Sequence, residues 1–363
     1  MFDDAAAVDL LRGLVERYSP SSQEAEAAGF LARAASDAGW DARVDEVGNF
    51  VAERRPGPPG ESNQSDRSNR AGLHLVFLGH IDVAPGLVPV RLSEDALYGR
   101  GAVDAKGPLA AFVVAATRAR LPEGLRVTAI GAVEEEAASS RGARHVIPLY
   151  RPDYLIIGEP SGWDTLCMGY RGRTRARVRI EQPQSHGASG HPSAGTLACR
   201  CWLAADQAAR AHSRGGRLTE RVSVEVADLN TDSDGLTETA QLELDVRTPP
   251  DFDGAVFRAL LDEAAPDGAR FEILEDLPAV RAPKTGPLVR ALRAAIRAAG
   301  AEARFSFKSG TSDMNIAGPA WGCPMLAYGP GDSTLDHTPD EHIRIDEYLR
   351  SIQVLQRALE HLG

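Results

Sequence analysis

Apolar residues recur at helical spacing over DDAAAVDLLRGLVERYSP (3–20), and the run stops at Ser-Pro. The pattern repeats over SSQEAEAAGFLARAASDAGW (21–40), with Ser22 placed to cap the helix and Gly39 to stop it. DARVDEVGNFVAERR (41–55) reads as strand, turn, strand. The next stretch, RPGPPGESNQSDRSNRAG (55–72), is too rich in Pro, Gly, Ser and Asn to hold either period and reads as a mobile surface loop. From Leu73 the runs LHLVFLGH, LRVTAIGAVEEE and DYLIIGEP alternate with the helical stretches GPLAAFVVAATRA and SSRGARHVIP. Strands that are apolar along their length, without alternation, are covered on both faces, which predicts an α/β sheet.

Residues 167–275 follow a different rule. TRARVRIEQ, RVSVEVADLN and ETAQLELDVRT alternate in the manner of half-exposed strands, with helical stretches at 196–212 and 253–265 among them. The α/β style returns with LVRALRAAIRAAG, RFSFKSGTSDMNIAG, MLAYGPG and a final helix, EYLRSIQVLQRALEHL. The pattern predicts a first domain in two parts, 1–166 and 276–363, with an α+β domain, 167–275, inserted between them.

Composition changes this picture little. A chain of 363 residues outgrows a single core in most folds, and 43% apolar with 25% charged residues is ordinary for a soluble globular protein. The start carries Asp3 and Asp4 where a signal peptide would carry positive charge, and no apolar run reaches membrane-span length, so the reading is a cytoplasmic protein. Cys167, Cys199, Cys201 and Cys323 show no CxxC spacing and are expected as reduced thiols. A net charge of -11 argues against nonspecific binding to nucleic acid or anionic membrane. One basic stretch stands out, with Arg171, Arg173, Arg175, Arg177 and Arg179 on alternate positions and so on one strand face. That face is either a solvated one or a docking surface for an acidic partner.

The unusual chemistry sits beside the apolar runs: His80 and Asp82 in GHIDVAPG, Asp104 in YGRGAVDAKGP, Glu134, Glu135 and Glu136 in GAVEEEAASS, Glu159 in IIGEPSG, and His337 in LDHTPDEH. Any one of them alone is more often a hydrogen-bonding group than a ligand. Together, at successive strand ends, they fall where α/β sheets form their binding crevice. So many carboxylates in one cleft repel unless a cation compensates them. Imidazoles mixed with carboxylates suit zinc, cobalt or manganese, whereas calcium prefers oxygen alone. With two metals, Asp104 is the natural bridge.

HxD after an apolar strand, GRGAVDAKGP, an acidic pair, GEPS and a late histidine followed by acids together resemble the dinuclear metallohydrolase family that includes carboxypeptidase G, acetylornithine deacetylase and succinyl-diaminopimelate desuccinylase. The likeness spans nearly the whole chain. It implies a metallopeptidase catalytic domain with a mixed sheet flanked by helices, and an inserted lid domain that mediates homodimer formation. It implies two divalent ions, zinc or cobalt, one held by His80, Asp104 and Glu159 and the other by Asp104, Glu136 and His337. Glu135 would be the general base, passing a proton from the attacking water to the leaving nitrogen. Asp82 would hydrogen-bond the far nitrogen of His80 and fix its tautomer. The family shows Asp-Glu-Glu where this chain has EEE, which maps Glu134 onto the Asp; a shift of one would reassign Glu135 and Glu136. The family's lid histidine maps onto His186, by distance from the preceding strand, ahead of His191, which fits its relation to Pro192 and Gly195. Arg247 in LELDVRTPP falls where the family keeps an arginine for the substrate carboxylate. Ser309, Thr311 and Ser312 in KSGTSDMN fall in its substrate-binding loop, ahead of the reading as a turn with local side-chain bonds.

GEPSGWDTLCMGYRGR, EEEAASSRGA and KSGTSDMN with LDHTPDEH are most similar to the hydrolases that release lysine, and sometimes ornithine, from an acidic amino-group carrier protein in the α-aminoadipate route. The scissile amide there joins the γ-carboxyl of the carrier's C-terminal glutamate to the α-amino group of lysine. The arginine face would steer such a carrier. A deacylase of free acetylornithine or succinyl-diaminopimelate would use the same metals. A noncatalytic binding protein should have lost ligands, and here every expected position is filled.

Overall fold

A computed structural model describes residues 2–56, 72–213, 215–255, 258–259 and 269–362. The Pro- and Gly-rich stretch 55–72 and the helical stretch 253–265 lie largely outside the described residues. The chain divides into two compact units. The first comprises Met1–Gly169, Ala282–Ser306 and Ile316–Gly363, and the second Tyr170–Arg281 with Phe307–Asn315.

The first unit is built on a mixed sheet whose strands run in the order Asp41–Val44, Phe50–Arg54, Arg126–Ala132, His74–His80, Tyr154–Gly158, Met325–Ala327, Thr165–Tyr170. His74–His80 is parallel to both its neighbours, and Met325–Ala327 is parallel to Tyr154–Gly158. All seven residues of His74–His80 are buried, as the unbroken apolar run required. Antiparallel pairs close the sheet at Phe50–Arg54 and at Cys167.

The helix Lys106–Arg118 is apolar on every face and correspondingly buried over all but its last residue. Phe112 on it stacks on Phe77 of the central strand at 4.1 Å, a contact worth ~0.5–1.5 kcal/mol beyond area burial. At its start the buried Lys106 donates from Nζ to Leu14 O and Arg17 O, at 3.2 and 2.7 Å, where carbonyls at the end of the helix Asp4–Val15 need donors. The next helix, Ala25–Asp37, begins later than the sequence suggested and Ser22 does not cap it. Ser22 takes a left-handed backbone (φ 71°) and gives its amide to Glu24 Oε1 at 2.8 Å. Glu24 is needed elsewhere, as the acidic run shows below.

The second unit is a four-stranded antiparallel sheet in the order Ser223–Ser233, Thr237–Thr248, Gly172–Pro183, Arg270–Leu277. Ala176, Val178, Ile180, Leu242, Leu244 and Val246 face inward, packed with Ala198, Cys201 and Ala205 of the helix Ala194–His212. The strand Arg270–Leu277 escaped the sequence reading because its exposed and half-buried positions follow no clean alternation.

The other face of this sheet carries the arginine row, and acids of the same sheet meet it there. Arg173 pairs with Asp245 at 2.6 Å and Glu275 at 3.5 Å, Arg175 with Glu243 at 3.0 Å, and Arg177 with Glu243 at 2.6 Å and Glu272 at 3.2 Å. Arg179 bonds Gln241 at 3.2 Å. Strand register places Glu243 and Glu272 directly opposite Arg177, so acids on both flanking strands neutralise the row. Arg171 is buried, its Nη2 donating to Arg221 O, Ser223 Oγ and Arg247 O. Burial, the dominant influence, lowers its pKa to about 10.

Candidate metal centre

The parallel register sets Gly79 opposite both Gly131 and Gly158. Just past this row of glycines each strand gives up a polar side chain: His80 from the first, the acidic run from the second, Glu159 from the third. The chain leaving Met325–Ala327 then leads to His337. The carboxyl edge of the sheet therefore collects the whole constellation.

Asp104 lies at its centre. Its Oδ1 is 3.1 Å from His80 Nε2 and its Oδ2 is 3.1 Å from His337 Nε2. His337 Nε2 is also 3.0 Å from Glu136 Oε1, and His80 Nε2 is 3.8 Å from Glu159 Oε1. One donor atom from each of His80, Asp104 and Glu136, and likewise from each of His80, Glu135 and Glu159, lies within 4.8 Å of the others. His80 is 1% exposed.

Electrostatics say what charge the cluster favours. Hydrogen bonds to Asp104 and then Glu136 raise His337 from 6.5 to about 10. Burial works hardest against a charged His80, yet bonds to Asp104 and Asp82 outweigh it and raise its pKa well above 6.5. The site favours positive charge, and two imidazoles among carboxylates are the donor set of a borderline divalent cation. The residues fit that role.

Asp82 does more than the sequence suggested. His80 Nδ1 is 3.0 Å from the Asp82 backbone oxygen and 3.5 Å from its Oδ1, so the carbonyl makes the shorter contact. The fully buried carboxylate instead accepts the amides of Glu135 (3.1 Å) and Glu136 (3.0 Å) and the hydroxyl of Ser21 (2.8 Å). Glu24, also buried, accepts the amide of Glu134 at 3.2 Å. Two carboxylates thus hold three successive amides of the acidic run.

Glu134 departs from its neighbours. Its backbone is left-handed (φ 58°), and its carboxylate turns to Arg141 (2.8 Å), Ser139 (2.6 Å) and Ser22 (3.2 Å). That leaves Glu135 and Glu136 in the cluster. His337 is likewise left-handed at φ 61°, a conformation that costs ~1–3 kcal/mol in a non-glycine residue and persists where the surroundings enforce it.

The sequence reading missed Arg100 and Glu341. Both stood in strings singled out for their neighbours, Asp104 and His337. Glu341 Oε1 accepts the amides of Gly101, Val103 and Asp104 at 2.9, 3.0 and 3.2 Å.

The remaining residues lie in the second unit. His186 and His191 are both exposed between Gly172–Pro183 and Ala194–His212; His186 Nδ1 accepts the Ala188 amide at 3.2 Å. Arg247 and Thr311 do meet, Nη1 to Oγ1 at 3.3 Å, with Arg247 Nε 3.1 Å from Asp245. Ser312 is buried, its hydroxyl accepting the Met314 amide at 3.2 Å, and Ser309 is exposed. Back in the first unit, Asp45, Glu46 and His145 form another cluster with metal-ligand spacing. There Asp45 is committed to its own turn, accepting from the amides of Val47 and Asn49 and from Asn49 Nδ2.

A family model described as peptidase family M20/M25/M40 matches residues 76–361. A Deinococcus radiodurans protein named LysW-lysine hydrolase is 43% identical, the alignment covering 99% of this chain and 98% of that one. A Thermococcus kodakarensis protein, provisionally named a LysW-lysine/LysW-ornithine hydrolase, is 38% identical over 100% of this chain and 94% of its own. Among solved structures, aminopeptidase PepT from Bacillus cereus superposes with a TM-score of 0.78 at 16% identity, over 99% of both chains. The M20 family metallo-carboxypeptidase Sso-CP2 from Sulfolobus solfataricus gives 0.77 at 17%, over 100% of this chain and 99% of that one. These two share the fold. Among the described residues no helix is long and apolar enough to cross a membrane.

Proposed function

The chain belongs to peptidase family M20/M25/M40, and from that membership we propose that it is a metal-dependent amide hydrolase releasing lysine, or ornithine, from the C-terminal glutamate of an acidic amino-group carrier protein. The observation that carries this reading is the 43% identity, over essentially the full length of both chains, to a protein named LysW-lysine hydrolase. The geometry agrees, since Asp104 presents one oxygen to each of two imidazoles.

In this reading His80, Asp104 and Glu159 would hold one divalent cation, and Asp104, Glu136 and His337 the other. Zinc is the first choice and cobalt the second. Bound there, the ions would act as Lewis acids on the scissile carbonyl and make water a better nucleophile. Glu135 takes the proton of the attacking water and passes it to the departing α-amino nitrogen, breaking the carbon–nitrogen bond. Asp82 keeps Glu135 and Glu136 aimed by holding their amides and orients His80 through its own carbonyl.

The second unit serves as lid and dimerisation element. Arg247, steadied by Thr311, grips a substrate carboxylate, with Ser309 and Ser312 in the same loop, and His186 stabilises the tetrahedral intermediate. Support for a homodimer comes from the edge strand Ser223–Ser233, whose residues are exposed from Glu225 onward and include Val226 and Leu229. The same reading places the enzyme in the cytoplasm, in keeping with a cysteine spacing that offers no disulfide framework, and gives it no nucleic-acid or membrane partner.

The test is hydrolysis by the zinc-loaded protein of lysine-loaded carrier, acetylornithine and succinyl-diaminopimelate side by side. Far faster cleavage of the carrier conjugate is expected. Preference for a free acylated amino acid would overturn the substrate assignment and leave the metal chemistry standing.

A further inference from the structure

Arg100 and Glu341 stand 241 positions apart and meet as a buried ion pair, Nη1 to Oε2 at 2.7 Å, with the residues 5% and 0% exposed. A small antiparallel sheet brings them together: His342–Arg344 pairs with Ala96–Tyr98, setting His342 opposite Tyr98 and so Glu341 beside the loop that carries Asp104. The backbone follows suit, with the Gly99 amide donating to Glu341 O at 3.1 Å.

Each end of the pair holds more than its partner. One oxygen of Glu341 collects the amides of Gly101, Val103 and Asp104, while the other takes Arg100. The guanidinium donates from Nε to Gly86 O at 2.9 Å and from Nη2 to His337 O at 3.4 Å. Gly86 closes the segment that begins with His80. Three segments, bearing His80, Asp104 and His337, therefore meet at one ion pair. The Asp104 loop has little room to relax, because Gly101 sits at φ +86° and a Cβ there would lie 2.6 Å from Val83 Cγ1.

We infer that Arg100 and Glu341 are positioning residues that hold Asp104 and His337 at the separation a shared cation requires, and so set the affinity for the ion placed between Asp104, Glu136 and His337. The inference rests on the two-metal reading above. Neither residue belongs to a ligand set, to the proton path or to the substrate grip. Their side chains act through backbone groups of the residues that do the binding.

Chemistry selects the variants. In Glu341→Gln one oxygen remains for the three amides, but an NH2 faces Arg100 Nη1, donor against donor, so the link toward His337 is the part that breaks. Arg100→Lys keeps a charge for Glu341, yet a single ammonium cannot reproduce three directed bonds to Gly86, His337 and Glu341.

The measurement is zinc binding to the full chain, by elemental analysis and by competition with a chromophoric chelator, alongside circular dichroism and thermal melting. The parent should hold two ions. Each variant should fold and bind one of the two about 10–100-fold more weakly, with kcat reduced at limiting zinc, restored by excess zinc, and KM little changed. The double variant Arg100→Lys/Glu341→Gln should cost no more than the worse single change. Folded variants with parental affinity for both ions would overturn the positioning role and leave the two-metal reading intact. A parent that holds fewer than two ions would overturn the reading and the inference with it. Failure of both single variants to fold, or a lowered melting temperature without selective loss of one ion, would make the pair merely structural and overturn the inference.

Discussion

The two oxygens of Asp104 each lie 3.1 Å from an imidazole, His80 on one side and His337 on the other. Because both candidate sites share this carboxylate, neither ligand set survives its loss. Asp104→Ala is expected to fold and to lose both ions together, with activity reduced by more than the ~100-fold that an orienting group commands. Elemental analysis showing one ion retained at full stoichiometry would refute the bridge.

Glu135 belongs with His80 and Glu159 by distance, and Asp82 holds its amide. Glu135→Gln preserves shape and removes the proposed proton acceptor. It should bind metal as the parent does while kcat falls by ~10²–10⁴-fold, the span associated with general-base catalysis. Turnover near the parental rate would remove Glu135 from that role.

If His80 and His337 hold the proposed ions, protons and metal compete for them. The His337 pKa is raised by Asp104 and Glu136 to about 10, and that of His80 stands well above 6.5 through Asp104 and Asp82. In the metal-free protein a raised folded-state pKa contributes stability that is complete below the unfolded value of about 6.5 and is lost as pH climbs through the folded value. The melting temperature of the metal-free protein should therefore drop between pH 7 and pH 10. Over the same range, apparent zinc affinity should rise up to about tenfold per pH unit for each proton displaced. Chelator competition at pH 6.5, 7.5 and 8.5 checks the second claim, and a flat profile would contradict it.

The arginine row is already neutralised by Asp245, Glu243, Glu272 and Glu275. Arg177→Gln is expected to leave kcat/KM for lysine-loaded carrier within about twofold of the parent, as charges with local partners add little at long range. A tenfold fall that disappears at high salt would restore the row as a docking surface.

Which of these features the sequence disclosed depended on whether their cause was local. His80, the acidic run and Glu159 follow apolar runs by one or two residues, and parallel register did the rest. Glu134 could not be told from Glu135 by position, since its separation depends on a left-handed turn and on Arg141. Ser22 looked like a cap because the string SSQE offers one; in the fold Glu24 is claimed by the amides of Ser22 and Glu134, and the helix starts later. The arginines showed their alternation plainly, but the acids that face them come from two other strands. Arg100 and Glu341 obey no period at all and meet only when the strands Ala96–Tyr98 and His342–Arg344 pair.

The first unit is assembled from three separate stretches of chain, with the second unit's main segment, Tyr170–Arg281, between the first and second of them. Synthesis proceeds from the amino end, so His80, Asp104, Glu136 and Glu159 all emerge long before His337. At that point the strand Met325–Ala327 has yet to take its place beside Tyr154–Gly158. A nascent chain of this protein can therefore present carboxylates and one imidazole, but not the full pair of sites. Of the two candidate ligand sets, the one that includes His337 is complete only once the last stretch of the first unit has docked.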